Sequence, residues 1–185
     1  MIGRRAVATL VLAGLGLGAV ASVHAVNAPA LGPTGVGSVR FGLPKAQAVA
    51  ELTALFGPPT ARGANTGCGG PRYAEVEWGD LVAEFRSGTF SGFRYATGGY
   101  PLTTPGSPRR PSPAKAPFPK LATSAGISLA STLARLRAAD PLLRRVGAGV
   151  WRSANGLLFV DDAKRDPEPA SSRIVEIKIG TCGAF

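Results

Sequence analysis

The chain has 185 residues and a formal net charge of +10, from 21 lysines and arginines against 11 aspartates and glutamates. Its only histidine, His24, lies in an N-terminal segment that we expect to be removed. A mature chain without histidine excludes Ser-His-Asp and Cys-His nucleophile activation and zinc sites built on imidazole. We therefore expect no enzyme, no bound metal and no cofactor, although catalysis by carboxylates alone stays open.

Residues 1–25 predict a secretory signal peptide. Arg4-Arg5 gives a basic start, Ala6 to Ala21 is apolar and uncharged, and Val23 and Ala25 place small residues before a cleavage site. The apolar run is shorter than the roughly 20 residues of a membrane span, so we favour cleavage and expect no stable span afterwards. The sequence thus predicts an extracytoplasmic protein, with export by the twin-arginine route left open.

The chain has two cysteines, Cys68 and Cys182, each in a glycine-rich turn. In an oxidising compartment two lone cysteines most often pair with each other. We therefore expect a Cys68–Cys182 disulfide, with two free thiols as the alternative.

Residues 32–97 read as a first repeat. Pro44 indicates the start of a helix, Val49, Leu52 and Leu55 share one helical face, and Gly57 ends it. Three short segments with strand patterns follow, at residues 75–78, 81–85 and 92–95.

Residues 98–120 form a proline-rich linker with seven prolines and the basic pair Arg109-Arg110. Such a segment favours an extended chain over a helix or a central strand. Its Pro-Arg-Arg-Pro centre would also suit a partner that binds polyproline helices, but a solvated spacer is the simpler interpretation.

Residues 121–185 read as a second repeat, with a helix that starts near Ser128 and strands near residues 150–151, 157–160 and 174–179. Segments 42–56 and 126–140 align with identical residues at positions 42/126, 46/130, 50/134, 52/136 and 54/138. The sequence therefore predicts an α+β fold of two tandem repeats, each a helix packed on an antiparallel sheet of about three strands.

Two motifs carry a resemblance to a known family. The segment 39–49, which leads into Phe56-Gly57-Pro58, resembles the helix entry of β-lactamase-inhibitory-protein-like tandem repeats. Residues 123–127 and 132–141 are similar to the second repeat of actinobacterial secreted proteins of unassigned function. The resemblance implies a secreted tandem module and, as one possibility, an inhibitor of a secreted hydrolase. Because each repeat here has one cysteine, it also implies that a disulfide would join the repeats.

Three glutamates are the candidates for carboxylate chemistry. Glu75 and Glu77 share one strand face, and Glu84 would join them from the next strand. They would suit a carboxylate-dependent hydrolase of an envelope polymer. The alternative that we favour is an exposed face whose charges pair with Arg86 and Arg94. The acidic segment 161–168 suggests calcium but lacks the ligand spacing of an EF-hand, so we expect a solvated turn.

Arginine and tryptophan are enriched at binding hot spots, and the chain combines them around the second helix. We therefore expect a non-catalytic binding module that contacts an extracellular protein or an anionic wall polymer rather than nucleic acid. A solvated basic helix face is the alternative. The candidate binding residues are Trp78, Trp151, Arg135, Arg137, Arg144 and Arg145.

Overall fold

The structure, a computed structural model, describes residues 29–65, 72–97, 118–163 and 169–180, which form twelve strands and two helices. In chain order these are β1 (Ala30–Gly32), β2 (Gly35–Val36), β3 (Val39–Arg40), α1 (Lys45–Phe56), β4 (Ala61–Asn65), β5 (Tyr73–Trp78), β6 (Leu81–Arg86), β7 (Thr89–Ala96), β8 (Ala122–Thr123), α2 (Leu133–Ala139), β9 (Arg144–Gly147), β10 (Val150–Arg152), β11 (Leu158–Asp161) and β12 (Ile174–Ile179).

Eight of these strands form one antiparallel sheet in the order β4-β5-β6-β7-β12-β11-β10-β9. Each half of the chain contributes four strands in a meander, and the halves meet where β7 pairs with β12. In that pairing Phe93 lies opposite Ile179 and Tyr95 lies opposite Ile177. The apolar side chains on both sides of this junction therefore share one face of the sheet.

The predicted fold class of two helix-on-sheet repeats is wrong. Among the described residues 45% lie in strands and 16% in helices, and the strands form one large sheet and one smaller mixed sheet. Six of the eight strands match segments that local patterns predict, whereas the edge strands β4 and β9 were not predicted. The pairing of β7 with β12 joins segments about 80 residues apart. Periodicity along a sequence reports which face a residue occupies and carries no information on distant strand pairing.

The smaller sheet has four short strands in the order β3-β2-β1-β8. β1 and β8 run parallel, with Ala30 opposite Ala122 and Leu31 opposite Thr123. Strands of two or three residues give no alternation that sequence analysis can recognise, and this sheet was not predicted. It ties the start of the described chain to the segment before α2.

The predicted start agrees with the structure for α1 but not for α2. α1 begins after Pro44 and ends before Gly57, which has φ of 80°, as the sequence indicated. α2 begins later than predicted, because Thr132 and not Ser128 caps it. The Arg135 backbone N–H donates to Thr132 Oγ1 at 3.2 Å, which satisfies one of the free amides of the first helical turn.

One apolar cluster contains side chains from both halves of the chain and from both helices. Its fully buried large members include Leu52 of α1, Trp78, Phe93 and Leu136 of α2, each with at most 1% exposure. Helices and small sheet thus cover one face of the eight-stranded sheet. Burial of such side chains is the main favourable term in folding.

Several predicted features lie outside the described residues. These are the signal peptide 1–25, both cysteines and residues 98–117 of the predicted linker. At the end of that linker Phe118 packs against Phe56, with ring centroids 5.2 Å apart. Within the described chain, neither helix has the length and hydrophobicity required to cross a membrane. The Cys68–Cys182 disulfide stays a prediction.

Gly92 allows a close approach between the two halves of the sheet. A Cβ atom on Gly92 would lie 2.5 Å from the carbonyl oxygen of Ile179 and 2.7 Å from the Cα of Gly180. We expect Gly92→Ala to lower the free energy of unfolding by about 1–3 kcal/mol, the usual range for overpacking, as measured by urea denaturation.

Gly147→Ala is the matched control, because its Cβ would meet only the Val150 side chain, at an ordinary 3.6 Å from Cβ and 3.7 Å from Cγ2. It should change the unfolding midpoint little. Equal midpoints for the two variants would show that the junction between β7 and β12 is not closely packed.

Candidate functional site

The eight-stranded sheet has a second face, opposite the apolar cluster, which we call the polar face. Side chains alternate between faces along a strand. Because Val76 of β5, Ala83 of β6 and Phe93 of β7 belong to the apolar cluster, their neighbours Glu75, Glu84 and Arg94 lie on the polar face. This face carries the carboxylates that the sequence singled out.

Glu75 and Glu84 are directly opposite each other on β5 and β6, and each is 2% exposed. Arg94 of β7 contacts both. Its Nη2 forms an ion pair with Glu75 Oε1, and its Nε lies 3.1 Å from Glu84 Oε1. Two adjacent buried carboxylates repel each other strongly, and a guanidinium shared between them offsets that repulsion.

Glu77 is held separately, at the next position on the same face of β5. The hydroxyl of Thr60 lies 3.2 Å from Glu77 Oε1 and 3.2 Å from the Glu77 carbonyl oxygen. The prediction that these glutamates lie on an exposed face is therefore wrong, because Glu77, like Glu75 and Glu84, is only 2–3% exposed. Of the two arginines predicted as cross-strand partners, Arg94 pairs with the carboxylates, whereas the Arg86 guanidinium lies 5.4 Å from the ring centroid of Tyr73.

Tyr73 shares the polar face with these charges. Burial raises the pKa of its phenol above the usual value of 10.0, and the negative charges of Glu84 and Glu75 raise it further. Tyr95, on the apolar face, also has a raised pKa, chiefly because it is buried. Its hydroxyl oxygen accepts a hydrogen bond from the Leu121 backbone N–H at 3.1 Å. Both phenols are therefore neutral at physiological pH.

As formed by the described residues, the polar face has only a small cavity beside the Glu84–Arg94 pair. A cavity of about 10 Å³ lies between Glu84, Arg94, Leu158 and Lys178, which is no more than a single water needs. A sugar or peptide would reach the Glu75–Glu84 pair only by displacing Arg94 from both carboxylates. The arrangement is suited to holding three strands together rather than to acid–base chemistry.

A different surface, at the far edge of the sheet, is open and basic. We call it the β9 patch and define it as Arg137, Leu142, Arg144, Arg145, Val146 and Arg152. All four residues of β9 are exposed, as is Leu142, at 66%. Leu142, Arg144, Val146 and Arg152 line a groove of about 490 Å³ together with Ser153 and Ala154.

The register of β9 with β10 divides the arginines of the patch between two faces. Arg144 lies opposite Arg152, and both line the groove. Arg145 lies opposite Trp151 on the other face, where the Arg137 guanidinium stacks 4.6 Å from the Trp151 ring centroid. The edge strand β9 thus carries two arginines itself, and α2 and β10 each place one more beside it.

Trp151 lies beneath the Arg137 guanidinium, between the β9 patch and the apolar cluster. Its Nε1–H donates to Asp161 Oδ2 at 2.8 Å, and the residue is 7% exposed. The hydrogen bond fixes the plane of the ring, and the ring in turn positions the guanidinium of Arg137 by a cation–π contact. Trp151 therefore acts through Arg137 and has little surface of its own for a partner.

The other two candidate binding residues lie elsewhere. Trp78 is 1% exposed in the apolar cluster, and its Nε1–H donates to the Gly57 carbonyl oxygen at 3.0 Å. Arg135 is exposed at the start of α2, beside Gly126. Sequence analysis missed Leu142 and Val146. The segment 142–146 reads Leu-Leu-Arg-Arg-Val, which does not alternate between apolar and polar residues and therefore carries no strand signal.

Two aspartates at the start of the acidic segment 161–168 form local hydrogen bonds, and residues 164–168 lie outside the described residues. Asp161 Oδ1 accepts from the Ala163 N–H at 2.8 Å, and Asp162 Oδ1 accepts from the Arg173 N–H at 2.7 Å. Within the described ranges no group of three or more histidine, cysteine, aspartate or glutamate residues is arranged to hold a metal ion.

Loss of Arg94 should be costly, because it leaves Glu75 and Glu84 facing each other without the guanidinium that they share. We expect Arg94→Met to lower the free energy of unfolding by about 3–5 kcal/mol, measured by urea denaturation at neutral pH. Arg86→Met is the matched control and should cost about 1 kcal/mol or less, since it removes only a cation–π contact. Equal losses would show that the carboxylates do not depend on Arg94.

The raised pKa of Tyr73 predicts a loss of stability in alkaline solution. Its contribution is complete below the unfolded pKa of about 10 and declines as the pH rises through the higher folded value. We therefore expect the wild type to lose stability relative to Tyr73→Phe as the pH rises above about 10. Urea midpoints of both proteins across this range test the effect, and parallel curves would contradict it.

Comparisons of this chain with protein-family models, with curated proteins and with solved structures found no match. The resemblance to β-lactamase-inhibitory-protein-like repeats therefore stays a prediction, and the function has to be argued from the two surfaces described above.

Proposed function

We propose that this protein is a secreted, non-catalytic binding module whose β9 patch contacts an anionic partner outside the cytoplasm. The partner would be an acidic extracellular protein or an anionic wall polymer. The observation that carries the proposal is the convergence of Arg137, Arg144, Arg145 and Arg152 around an exposed edge strand. Within the described chain, Arg137 and Arg144 have no carboxylate within ion-pair distance.

The charge of the whole protein supports the same proposal. Removal of Arg4 and Arg5 with the signal peptide would change the net charge from +10 to +8, that is 10 − 2. A basic surface of this kind raises the rate at which an anionic partner arrives, and salt weakens the effect because the Debye length falls to about 8 Å at physiological ionic strength.

The carboxylate-dependent hydrolase is the weaker candidate. Its only support is the adjacency of Glu75 and Glu84, and both side chains are already in contact with Arg94. Glycosidases need two carboxyl groups separated by room for a sugar and a water, roughly 5–10 Å apart. Inhibition of a secreted hydrolase, which only the resemblance suggests, would be one form of protein binding by the same patch.

Charge reversal within the β9 patch tests the proposal. We expect the double variant Arg144→Glu/Arg145→Glu to lose at least tenfold in affinity for an isolated anionic wall fraction or for immobilised acidic protein, because opposite charges become like charges. Binding is measured at low and at physiological salt, and the wild-type affinity should fall as salt rises.

Arg40→Glu/Arg62→Glu is the matched control. Both side chains are exposed, lie outside the patch and produce the same change in net charge. If the control pair weakened binding as much as the patch pair, binding would depend on overall charge, and the patch would have no specific role. If the wild type bound neither partner even at low salt, the proposed function would be wrong.

A further inference from the structure

β9 is an outermost strand of the eight-stranded sheet, and β10 is the only strand of the described chain with which it pairs. Half of the backbone N–H and C=O groups of an edge strand point away from its partner. Such groups are a template for pairing with another extended chain. An outer edge strand in which every residue is exposed is therefore a potential docking site for backbone as well as for side chains.

The charge of the edge decides which kind of chain fits it. If β9 of a second copy paired here, arginines 144 and 145 of the two molecules would lie against each other, and like charges on neighbouring strands are destabilising. A strand with acidic residues on one face would instead place its carboxylates beside Arg145 and Arg137. The same charges that exclude a second copy thus favour an acidic partner.

The apolar members of the patch add a second requirement. Leu142 and Val146 are 66% and 42% exposed, and both line the groove beside Arg144. Side chains on one face of an added strand would lie over this groove and cover them. Those on the opposite face would approach Arg145 and Arg137. A chain that alternates acidic and apolar residues matches both faces.

We propose that β9 binds an extended acidic segment of a partner protein as a ninth strand of the sheet. This inference rests on the proposed function and makes it more specific: the partner is a protein, and the contact includes its backbone. An anionic wall polymer without amide groups has no means of extending the hydrogen-bond ladder, so strand addition distinguishes the two classes of partner.

The register of β9 limits the length of the added strand. Between the pairs Gly147–Val150 and Arg145–Trp151 the register shifts, so that Val146 is the extra residue of a bulge. A bulge bends the strand and interrupts regular pairing. The added strand would therefore be short and would pair mainly near Arg144 and Arg145.

Backbone-methylated peptides test the proposal without altering the protein. The probe is a blocked peptide of alternating glutamate and valine, titrated into the whole protein by calorimetry. Two further peptides carry N-methyl groups on alternate residues, one in each of the two possible phases. Strand addition predicts that one phase weakens binding by about tenfold or more, because it removes two or so interstrand hydrogen bonds, while the other phase has little effect.

The outcomes separate the proposal from the function on which it rests. If both methylated peptides bound as well as the parent, and inorganic polyphosphate bound equally well, the patch would be a purely electrostatic site: the proposed function would stand and strand addition would be wrong. If neither peptide nor polyphosphate bound at low salt, the proposed function would fail as well.

Two controls complete the experiment. A lysine–valine peptide of the same design should not bind, because its charge matches that of the patch. Sedimentation of the protein alone should show a monomer. A dimer that the acidic peptide dissociates would assign the β9 edge to a second copy of this chain and overturn the proposal.

Discussion

The pairing of β7 with β12 is the interaction on which the rest of the structure depends. It joins two four-stranded meanders into a single sheet and removes an exposed edge from each. The backbones come so close that a side chain at Gly92 would overlap Ile179 and Gly180. This contact lets one apolar cluster extend across both halves. Burial of apolar area increases with the size of a continuous core, so the joined sheet is more stable than two small ones would be.

The ionic contacts of the polar face lie beside this junction. Arg94 belongs to β7 itself, and its contacts with Glu75 and Glu84 reach across β6 to β5. Lys178 lies opposite Arg94 on β12 and pairs with Glu176 at 3.4 Å. Buried charges of this kind contribute little net stability, but removal of one partner is costly. They therefore favour this register over any other, because a slip by one residue would place carboxylates in the apolar cluster.

The proposed binding edge, β9, lies at the opposite end of the sheet from the other edge strand, β4, and away from the junction of β7 with β12. The two edges differ in chemistry, since β9 carries two consecutive exposed arginines whereas β4 carries only Arg62. A rigid centre with an accessible edge allows a partner to bind without rearrangement of the core. Trp151 connects the two regions, because its ring belongs to the apolar cluster and its surface orients Arg137.

The sequence by itself determined the local elements: α1 between Pro44 and Gly57, the hairpin strands around Gly79, and the basic character of the segment near Arg144. These follow from periodicity, turn residues and composition, all of which act over a few residues. Only the tertiary structure decided that the strands form one sheet, that Trp78 is buried while Leu142 is exposed, and that Arg94 lies between two glutamates. Strand pairing and burial depend on contacts between residues far apart in the chain, and a single sequence does not encode those contacts in any local pattern.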